Sequence, residues 1–383
     1  MLRRLLDSLK RTFPGFFGMA FHMRDFFLIH IPAWLNILCL QRSDSHMVEV
    51  FYLTTRFPKR PAARSEHAHG GSVKLTYLAE TFPHHFPAAN LAYIVTTVGH
   101  PLQNQILDAL KRKKVKIVIN HDGVAFPAWA GGRYVEFNRI SKHILDRANF
   151  IVYQSQFSKL SADLYLSPPN VPHEIIYNPV DVHHFVRQDV KKPEELTLML
   201  GGNQYEKYRL QLALQTLHSL LKLVPTARLI VTGTLWLPEQ EAWAWTNAAL
   251  KEMNLTEHVE FVGKYTQADA PRLYSKAHLL IHTKYADPCP GLIPEVMGCG
   301  LPVVHIGNGG VPELVGGAGI GLPVEHSWER YNLPEPEAMA NAVVQVYENL
   351  SYYSRAAREQ AQKFALEKFV AKHKEIFAKV LAS

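Results

Sequence analysis

Short β-strand patterns alternate with longer helical segments along most of the chain, and this alternation constrains the fold more than any other feature. Five β-branched or aromatic runs lie between residues 48 and 178, and five more follow residue 195. The runs are VEVFYLTT, LAYIVTT, VKIVIN, FIVYQS and HEIIYN, then TLMLGG, ARLIVTG, VEFVGK, LLIHTK and LPVVHI. Strands that alternate with crossover helices form parallel sheets. The sequence therefore predicts an α/β protein with two Rossmann-like parallel-sheet domains that face each other across a cleft.

The same pattern divides the chain into four segments. We expect an amphipathic helical extension at 1–46, a first parallel-sheet domain at 47–190 and a second at 191–349. The helices at 350–383 have no further strand to cover, so they are free to pack back on the first domain. The linker between the two domains is predicted around 177–195, because this segment carries prolines and charges instead of periodic apolar residues.

Composition narrows the class of protein. Hydrophobic residues make up 47% of the 383 residues and charged residues 20%, so a disordered or fibrous chain is excluded. Cys39, Cys289 and Cys299 are too few and too scattered for a disulfide framework or a cysteine metal site, which favours a reducing, cytoplasmic location. The adjacent histidines at 84–85 and 183–184 lack carboxylate or thiolate partners at ligand spacing, so no bound metal is expected.

Positive charge is concentrated in the first half of the chain. Residues 1–190 hold 22 Lys and Arg against 14 Asp and Glu, or +8, whereas residues 191–383 hold 19 against 20, or −1. This asymmetry favours an anionic partner for the first half, such as a membrane surface or a phosphorylated acceptor, with a merely soluble basic surface as the alternative. The basic run at 111–116 either complements a helix dipole or contacts such a partner. Nucleic acid is not expected, because the basic residues do not alternate with aromatic residues.

The first 46 residues differ from everything after them. A basic amphipathic stretch, MLRRLLDSLKRTF, precedes an apolar stretch that is interrupted by Arg24, Asp25 and Pro32. No clean run of 18 apolar residues exists, so a spanning helix is not predicted, and without a small-residue cleavage site a signal peptide is not predicted either. Two alternatives remain, a helix that lies in the plane of a membrane or a helical extension that packs on the protein's own core.

The stretch from 281 to 316 is the most informative for chemistry. An apolar strand leads into a loop with Asp287 and Gly291, then into a short helix around Glu295 that ends at Gly300. We expect the free N–H groups at the start of this helix to bind a pyrophosphate. Because two carboxylates would repel a phosphate, we expect Asp287 and Glu295 to accept hydrogen bonds from sugar hydroxyls. The alternative is that both acids only complement the helix dipole.

This stretch resembles the signature of retaining glycosyltransferases of family 4, in which two acidic residues with seven residues between them precede an Ala-Met-Ala-Cys-Gly-Thr-Pro-Val-Val type run. DPCPGLIPEVMGCGLPVV matches that pattern, with Asp287 at the first acidic position, where the family usually has Glu, and Glu295 at the second. GNGGVPELVGG matches the Gly-Gly-x-x-Glu turn that follows and places Glu313.

Further similarities extend over about 48–383. GGSVKL resembles the glycine turn of the N-terminal domain and places Gly71, whereas VINHDG resembles the strand end that carries an active-site histidine and places His121. IIYNPVDVHHF is similar to the segment before the hinge, and VEFVGKY to the strand and turn that read the nucleotide base. In GGNQYEKYRLQLAL, Asn203 stands where the family commonly has Arg, and Lys207 and Arg209 bracket the position of its Lys.

The resemblance implies a two-domain GT-B enzyme that moves a sugar from a nucleotide-sugar donor, UDP- or GDP-linked, to a hydroxyl of a glycan, a lipid-linked or another acceptor, with retention and without a metal or other cofactor. It assigns the acceptor to the first domain and the donor to the second. The implied catalytic residues are Asp287 and His121. The implied donor-binding residues are Glu295, Lys207, Arg209, Asn203, Gly202, Gly291, Leu292, Ile293, Glu313 and Gly71. The alternatives are a nucleotide-sugar epimerase of the same fold and a catalytically silent binding protein.

Overall fold

A parallel β-sheet forms the centre of each half of the chain. The structure is a computed structural model, and it describes residues 31–61, 71–190 and 193–383. Within these residues one sheet has five strands and the other has six, and the strands of both sheets pair in parallel. The predicted pair of Rossmann-like parallel-sheet domains is therefore confirmed.

The first domain is built around central strands that are buried on both faces. Its elements are α1 (Ile31–Cys39), β1 (Gln41–Arg42), β2 (Val50–Tyr52), α2 (Gly71–Thr81), β3 (Ala88–Ala89), β4 (Leu91–Val95), α3 (Gln103–Arg112), β5 (Lys116–His121), α4 (Pro127–Ala130), α5 (Tyr134–Leu145), β6 (Phe150–Tyr153), α6 (Gln156–Tyr165) and β7 (His173–Ile175). The sheet order is β2-β4-β5-β6-β7, and β1 pairs separately with β3. Near-continuous apolar runs suit these strands because helices cover both sides of a parallel sheet.

Helices α1, α3, α5 and α6 pack on one face of this sheet and share one core with it. Helix α3 shows why: Ile106, Leu107 and Leu110 line one side of the helix and are buried, whereas Lys111 and Arg112 in its last turn are exposed. An apolar stripe at helical spacing buries itself against the sheet and leaves the charged side in water.

The second domain repeats the architecture. Its elements are β8 (Thr197–Leu200), α7 (Lys207–Leu221), β9 (Arg228–Thr232), α8 (Glu239–Glu252), β10 (Val259–Gly263), α9 (Ala270–Tyr274), β11 (Leu279–His282), α10 (Leu292–Gly298), β12 (Val303–Ile306), α11 (Val311–Val315), β13 (Gly319–Leu322) and α12 (Pro336–Glu348). The strand order is β10-β9-β8-β11-β12-β13. When the strands are numbered from the first strand of this domain, their order is 3-2-1-4-5-6, as in dinucleotide-binding sheets. The strand order reverses between β8 and β11, while all strands run parallel.

The chain ends in two helices that return toward the first domain, α13 (Leu350–Ala361) and α14 (Leu366–Ala382). Helix α13 packs on α10 in the second domain. In α14, Phe369, Ile376 and Phe377 are buried in the core on the opposite face of the first sheet, together with residues of α2. The last helix therefore ties the end of the chain to the first domain.

Only part of the predicted N-terminal extension falls within the described residues, since residues 1–30 lie outside them. In α1, Ala33 and Ile37 are buried against the core of the first domain, as one of the two alternatives predicts. The opposite side of α1 exposes Trp34, Leu35 and Leu38. Within 31–61, 71–190 and 193–383, no helix has the length and apolar character needed to cross a bilayer.

Candidate active site

The carboxyl ends of β8 and β11 meet at the point where the strand order of the second sheet reverses, which is where open α/β sheets bind ligands. Gly201 and Gly202 follow β8, and the loop that leads to Asp287 follows β11. Two hydrogen bonds join the segments: the Thr283 hydroxyl donates to the Arg209 carbonyl at 2.9 Å, and the Tyr285 N–H donates to the Tyr208 hydroxyl at 3.0 Å. The two predicted halves of the donor site are thus adjacent.

Asp287 is buried among basic side chains. Its Oδ2 lies 3.2 Å from Lys284 Nζ and 3.5 Å from His282 Nε2. Burial alone would raise the pKa of Asp287, but Lys284, His282 and Arg209 outweigh burial and hold the pKa well below its usual range. The Asp287 carboxylate is therefore ionised throughout the neutral range and can act only as a hydrogen-bond acceptor.

Arg209 and Lys207 occupy different environments, although both bracket the expected lysine position. Arg209 is buried and interacts electrostatically with Asp287, and its Nη1 donates to the Asn203 carbonyl. Its Nε is buried without a hydrogen-bond partner in the described parts of the chain, which is an unusual state for a guanidinium donor. Lys207 is exposed, with its Nζ 4.6 Å from the centre of the Trp245 ring. Of the two cations, Arg209 is the one beside Asp287.

Asn203, which stands where family 4 glycosyltransferases commonly have Arg, connects two loops through hydrogen bonds of its side chain. Its Oδ1 accepts hydrogen bonds from the Thr234 N–H at 2.9 Å and the Thr234 hydroxyl at 3.1 Å, and its Nδ2 donates to the Tyr205 hydroxyl at 2.8 Å. Thr234 follows Gly233, whose φ of +79° and close approach to the Gly202 carbonyl leave no room for a side chain. The structure therefore uses the Asn203 side chain to join the loops that follow β8 and β9.

Glu295 is buried on α10 and receives two hydrogen bonds. Gln267 Nε2 donates to Oε1 at 2.9 Å, and the Tyr274 hydroxyl donates to Oε2 at 3.1 Å. Burial raises the pKa of Glu295 to about 7, although both hydrogen bonds favour the charged form. This carboxyl group therefore changes its charge near neutral pH, in contrast to Asp287.

The backbone around both acids leaves free space. A Cβ atom added at Gly202 or Gly291 would meet no atom within 4 Å, so these backbones face an open region. The side chains that follow Gly291 point elsewhere: Ile293 is fully buried in the core, and Leu292 packs against Gly201. If Leu292 and Ile293 contact a donor, they do so through their backbone, and the Ile293 N–H already donates to the Pro290 carbonyl at 3.2 Å.

His121 ends β5 in the first domain and is fully buried. Neither of its ring nitrogens has a hydrogen-bond partner among the residues that the structure describes, and burial lowers its pKa to about 4, so the imidazole is neutral. Lys74 on α2 lies in the same region, where its Nζ donates to Asn120 Oδ1 at 2.8 Å and Gln154 Oε1 at 3.1 Å. Burial lowers the pKa of Lys74 as well. The carboxyl edge of the first sheet thus holds a buried polar cluster.

Gly71 begins α2 at the same edge. A Cβ atom there would come within 3.0 Å of Asp122 Oδ2 and Thr97 Oγ1. Gly123, two residues after His121, lies against the second domain, because a Cβ atom at Gly123 would be 3.1 Å from the Pro288 ring. The polar edge of the first sheet therefore faces the loop that carries Asp287.

Glu313 has partners other than the predicted sugar donor. Its Oε1 accepts from the Phe157 N–H at 2.9 Å, and its Oε2 accepts from the Gln156 N–H at 2.8 Å and from the Tyr177 hydroxyl at 2.9 Å. These three donors all belong to the first domain. Both oxygens of Glu313 are therefore engaged in a contact between domains instead of facing Asp287 and Glu295.

Several residues of the site carry no signal in the sequence. Gln267 and Tyr274, which hold Glu295, lie 28 and 21 residues before it. Lys74 occupies one position of a helix without a distinguishing pattern. Lys284 lies within the stretch from 281 to 316, and its spacing of three residues from Asp287 is the feature of the sequence that indicates a contact between them. In the described parts of the chain, no three His, Cys, Asp or Glu side chains are grouped as a metal site requires.

Comparison with known proteins supports the GT-B architecture. Residues 195–349 match the family model described as glycosyl transferases group 1. No protein with a curated description matches the sequence of the chain. Crystal structures of HepE from Anabaena in complex with UDP superpose with a TM-score of 0.67 at 17% identity, over 87% of this chain and 100% of theirs. Sucrose-phosphate synthase from Thermosynechococcus elongatus superposes with a TM-score of 0.64 at 15% identity, over 87% of this chain and 89% of its own.

These matches cover different parts of the chain. The structural neighbours span both domains and show the GT-B fold, whereas the family model spans the second domain. Together they support a glycosyltransferase of GT-B fold.

Proposed function

We propose that the protein transfers a sugar from a UDP- or GDP-sugar to an acceptor hydroxyl with retention of the anomeric configuration. One observation carries the proposal: at the strand-order reversal of the second sheet, Asp287 and the partly unpaired guanidinium of Arg209 lie beside each other. The backbones of Gly202 and Gly291 border open space there. An ionised acceptor, a buried cation and room for a ligand fit the hydroxyls and the diphosphate of a nucleotide-sugar. HepE has been crystallised with UDP, with UDP and glucose, and with UDP-glucose, which supports UDP as the first nucleotide to test.

The diphosphate is the group that leaves in this reaction, and it gains negative charge as it departs. Arg209 Nε is a buried donor with no partner among the described residues, so it is available to the departing diphosphate without losing a hydrogen bond to any of them. Lys284 supplies a second positive charge at the same carboxylate. We propose that these two cations offset the charge of the diphosphate without a metal ion.

The two acids have separate tasks in this proposal. Asp287 stays ionised across the neutral range and accepts hydrogen bonds from hydroxyls of the transferred sugar. Glu295 follows Gly291 in the sequence, whereas Asp287 precedes it. Once ionised, the Glu295 carboxylate accepts hydrogen bonds from hydroxyls of the nucleotide part of the donor. His121 is neutral, so its ring can donate one hydrogen bond and accept another at the first-domain side of the cleft.

Transfer with retention requires that the new bond forms on the face from which the old bond breaks. The bond between the anomeric carbon and the diphosphate oxygen breaks, and the acceptor oxygen bonds to the same face of that carbon. The proton of the acceptor hydroxyl passes to the departing diphosphate oxygen, so atoms and charges balance without a protein nucleophile. Holding the acceptor between the two domains supplies the required alignment.

The first domain offers a surface for an anionic membrane, where a lipid-linked acceptor would be found. Trp34, Leu35 and Leu38 on α1 are 44%, 59% and 73% exposed. Helix α1 contacts α3, whose C-terminal end leads into an exposed run of basic residues at 111–114. Exposed apolar side chains on one helix and basic residues at the end of the helix that it contacts complement the interior and the charged headgroups of an anionic bilayer. We call the exposed side of α1 with Trp34, Leu35 and Leu38 the α1 face, and we propose that it binds the surface of an anionic bilayer.

Calorimetric titration of the full chain with UDP, GDP, ADP and CMP tests the proposal, followed by incubation with the matching nucleotide-sugars. We expect one nucleoside diphosphate to bind and its sugar conjugate to be turned over, also in the presence of EDTA. Asp287→Asn should bind the nucleotide but turn over the sugar conjugate at least about a hundredfold more slowly.

Asp163→Asn is the matched control, because Asp163 is a surface acid on α6 that forms an ion pair with Lys159. The anomeric configuration of the product, read by NMR, tests retention. A protein that binds none of the nucleotides, or binds one without any turnover, would contradict the proposed transferase.

A further inference from the structure

Glu313 closes the N-terminus of a helix that belongs to the other domain. The first free N–H groups of α6, those of Gln156 and Phe157, both donate to its carboxylate. The third, that of Ser158, donates at 2.9 Å to Oγ of Ser155, the N-cap residue of the same helix. A carboxylate at a helix N-terminus also interacts favourably with the helix dipole. One side chain of the second domain thus completes the capping of a helix in the first.

The residues around this contact also fix the loop that carries Asp287. Three successive carbonyl groups accept hydrogen bonds: that of Asp287 from the Gly310 N–H at 2.9 Å, that of Pro288 from the Ser155 hydroxyl at 2.7 Å, and that of Cys289 from Asn178 Nδ2 at 2.6 Å. Ser155 and Asn178 belong to the first domain. The backbone position of the loop therefore depends on both domains being in contact.

The two glycines that precede α11 pack on this loop without room for a side chain. A Cβ atom at Gly309 would lie 2.7 Å from the Asp287 carbonyl oxygen, and one at Gly310 would lie 1.9 Å from the Pro288 carbonyl oxygen. These glycines lead directly into α11, which carries Glu313. A shift of Glu313 away from α6 would therefore move the backbone that packs on Asp287.

A second contact joins the same parts of the two domains. Trp328, in the segment between β13 and α12, stacks on Phe157 with ring centres 5.4 Å apart and meets Phe126 and Tyr165 edge-on at the same distance. Its carbonyl accepts a hydrogen bond from the Ala128 N–H at 2.9 Å. An aromatic anchor thus supports the polar contact at the start of α6.

We propose that Glu313 is a positioning residue that holds the two domains closed, and that this closure sets the position of Asp287. The inference rests on the proposed transfer reaction only in the role given to Asp287. Glu313 touches neither donor nor acceptor in this proposal, so its loss should slow the chemical step and leave the affinity for the nucleotide nearly unchanged.

Small-angle X-ray scattering of the full chain, alone and with UDP, compares the wild type with Glu313→Gln and Trp328→Ala. Glu359→Gln is the matched control, because it removes the same charge from an exposed position on α13. We expect a larger radius of gyration for Glu313→Gln and Trp328→Ala, and a wild-type value for Glu359→Gln. Calorimetry should give a Kd for UDP within about threefold of the wild type, while kcat for UDP-glucose turnover falls at least about tenfold in both opened variants.

Three results would overturn the proposal. The scattering of Glu313→Gln could equal that of Glu359→Gln, or Glu313→Gln could lose UDP binding at unchanged scattering, which would make Glu313 a donor contact. Trp328→Ala could open the domains without lowering kcat, which would separate closure from the position of Asp287. If the wild type does not bind UDP, the proposed function is in question for this nucleotide, whereas the scattering comparison still decides whether Glu313 holds the domains together.

Discussion

The hydroxyl of Tyr274 donates a hydrogen bond of 3.1 Å to Oε2 of Glu295, and this bond joins the end of α9 to the helix that follows the Asp287 loop. Tyr274 is itself fully buried, and because its hydroxyl hydrogen points to Glu295, its oxygen accepts a hydrogen bond from the Tyr265 hydroxyl at 3.0 Å. The Glu295 carboxyl group is therefore fixed in place by the protein before any ligand arrives. Hydrogen bonds hold the carboxyl group in position, and the pH of the solution determines whether it is charged.

The pKa of Glu295, raised to about 7 by burial, predicts a pH-dependent affinity for a nucleotide-sugar. The ionised form accepts hydrogen bonds from ligand hydroxyls, so binding should strengthen as the pH rises through about 7, by up to about tenfold per pH unit below it. UDP-glucose is the suitable probe because its diphosphate does not titrate in this range. In Glu295→Gln the affinity should be lower and independent of pH, as measured by calorimetry.

Glu252→Gln provides the control for this experiment, since it removes a carboxylate from an exposed position at the end of α8. It should keep the wild-type pH profile. An unchanged pH profile in Glu295→Gln would show that another group controls binding.

The two cations near the start of α7 should differ in their effect on UDP affinity. Arg209→Met removes a buried guanidinium beside Asp287, and we expect UDP to bind at least about tenfold more weakly, as for the loss of a charge-assisted hydrogen bond. Lys207→Met removes an exposed charge that lies over Trp245, so the Kd for UDP should stay within about threefold of the wild type.

Thermal unfolding without ligand must accompany these titrations, because Arg209 also bonds the Asn203 carbonyl. The expectation is contradicted if Lys207→Met weakens UDP binding more than Arg209→Met does.

The fold was largely predictable, and the exceptions have physical reasons. Ten strand positions follow from runs of β-branched and aromatic residues, since most of these strands are buried on both faces of parallel sheets; β7 and β10 are partly exposed. Strand β13 was missed because GIGL carries little apolar signal. A Cβ atom at Gly319 would lie 1.9 Å from the Val303 carbonyl oxygen, so the close approach of β12 requires glycine where a strand pattern would show a larger residue.

The site was predictable in part. The sequence correctly placed Asp287, Glu295 and Gly291 in one loop-helix unit, because local spacing fixes their neighbourhood. It did not predict the partners of Glu313, which lie 136 to 157 residues away in the chain. Contacts of this kind depend on how two finished domains meet, and no local pattern encodes that. The functional roles of the site residues remain predictions that the experiments above test.

Buried neutral histidines should make the protein sensitive to acid. Burial lowers the pKa of His121, His305 and His373 to about 4, below the value of 6.5 for an exposed histidine. The unfolded chain therefore binds more protons than the folded one between about 6.5 and 4, and the free energy of unfolding should fall as the pH falls through this window. Urea unfolding at a series of pH values measures the slope.

Glu295 opposes this trend, because its raised pKa contributes stability that is lost as the pH rises from about 4.5 to 7. Because three histidines with lowered pKa values outnumber this one carboxyl group, the free energy of unfolding should fall overall as the pH is lowered. His373→Gln keeps a polar group near the Tyr93 hydroxyl, which lies 2.8 Å from His373 Nε2, and should flatten the slope by about one proton. An equal slope in wild type and variant would show that His373 does not stay neutral in the folded protein.

The α1 face should bind vesicles that contain phosphatidylglycerol and should not bind vesicles of phosphatidylcholine alone. Leu35 and Leu38 supply the exposed apolar part of this face, and the basic run at 111–114 supplies its charge. We expect the double variant Leu35→Ser, Leu38→Ser to float with anionic vesicles at least about fivefold less than the wild type, because serine removes the apolar side chains that would be buried among the lipids. Added salt should weaken binding of the wild type by screening the basic run.

A matched pair of exposed leucines makes this result specific. Leu160 and Leu164 on α6 are 62% and 60% exposed, lie one helical turn apart and belong to the same domain. The variant Leu160→Ser, Leu164→Ser removes a similar amount of exposed apolar surface, so it should float like the wild type if α1 is the docking face. Equal flotation of both double variants and the wild type would remove the α1 face from the proposal. Binding to neutral vesicles that is insensitive to salt would contradict the charge complementarity on which the proposed bilayer partner depends, since screening acts on the basic run and not on buried apolar side chains.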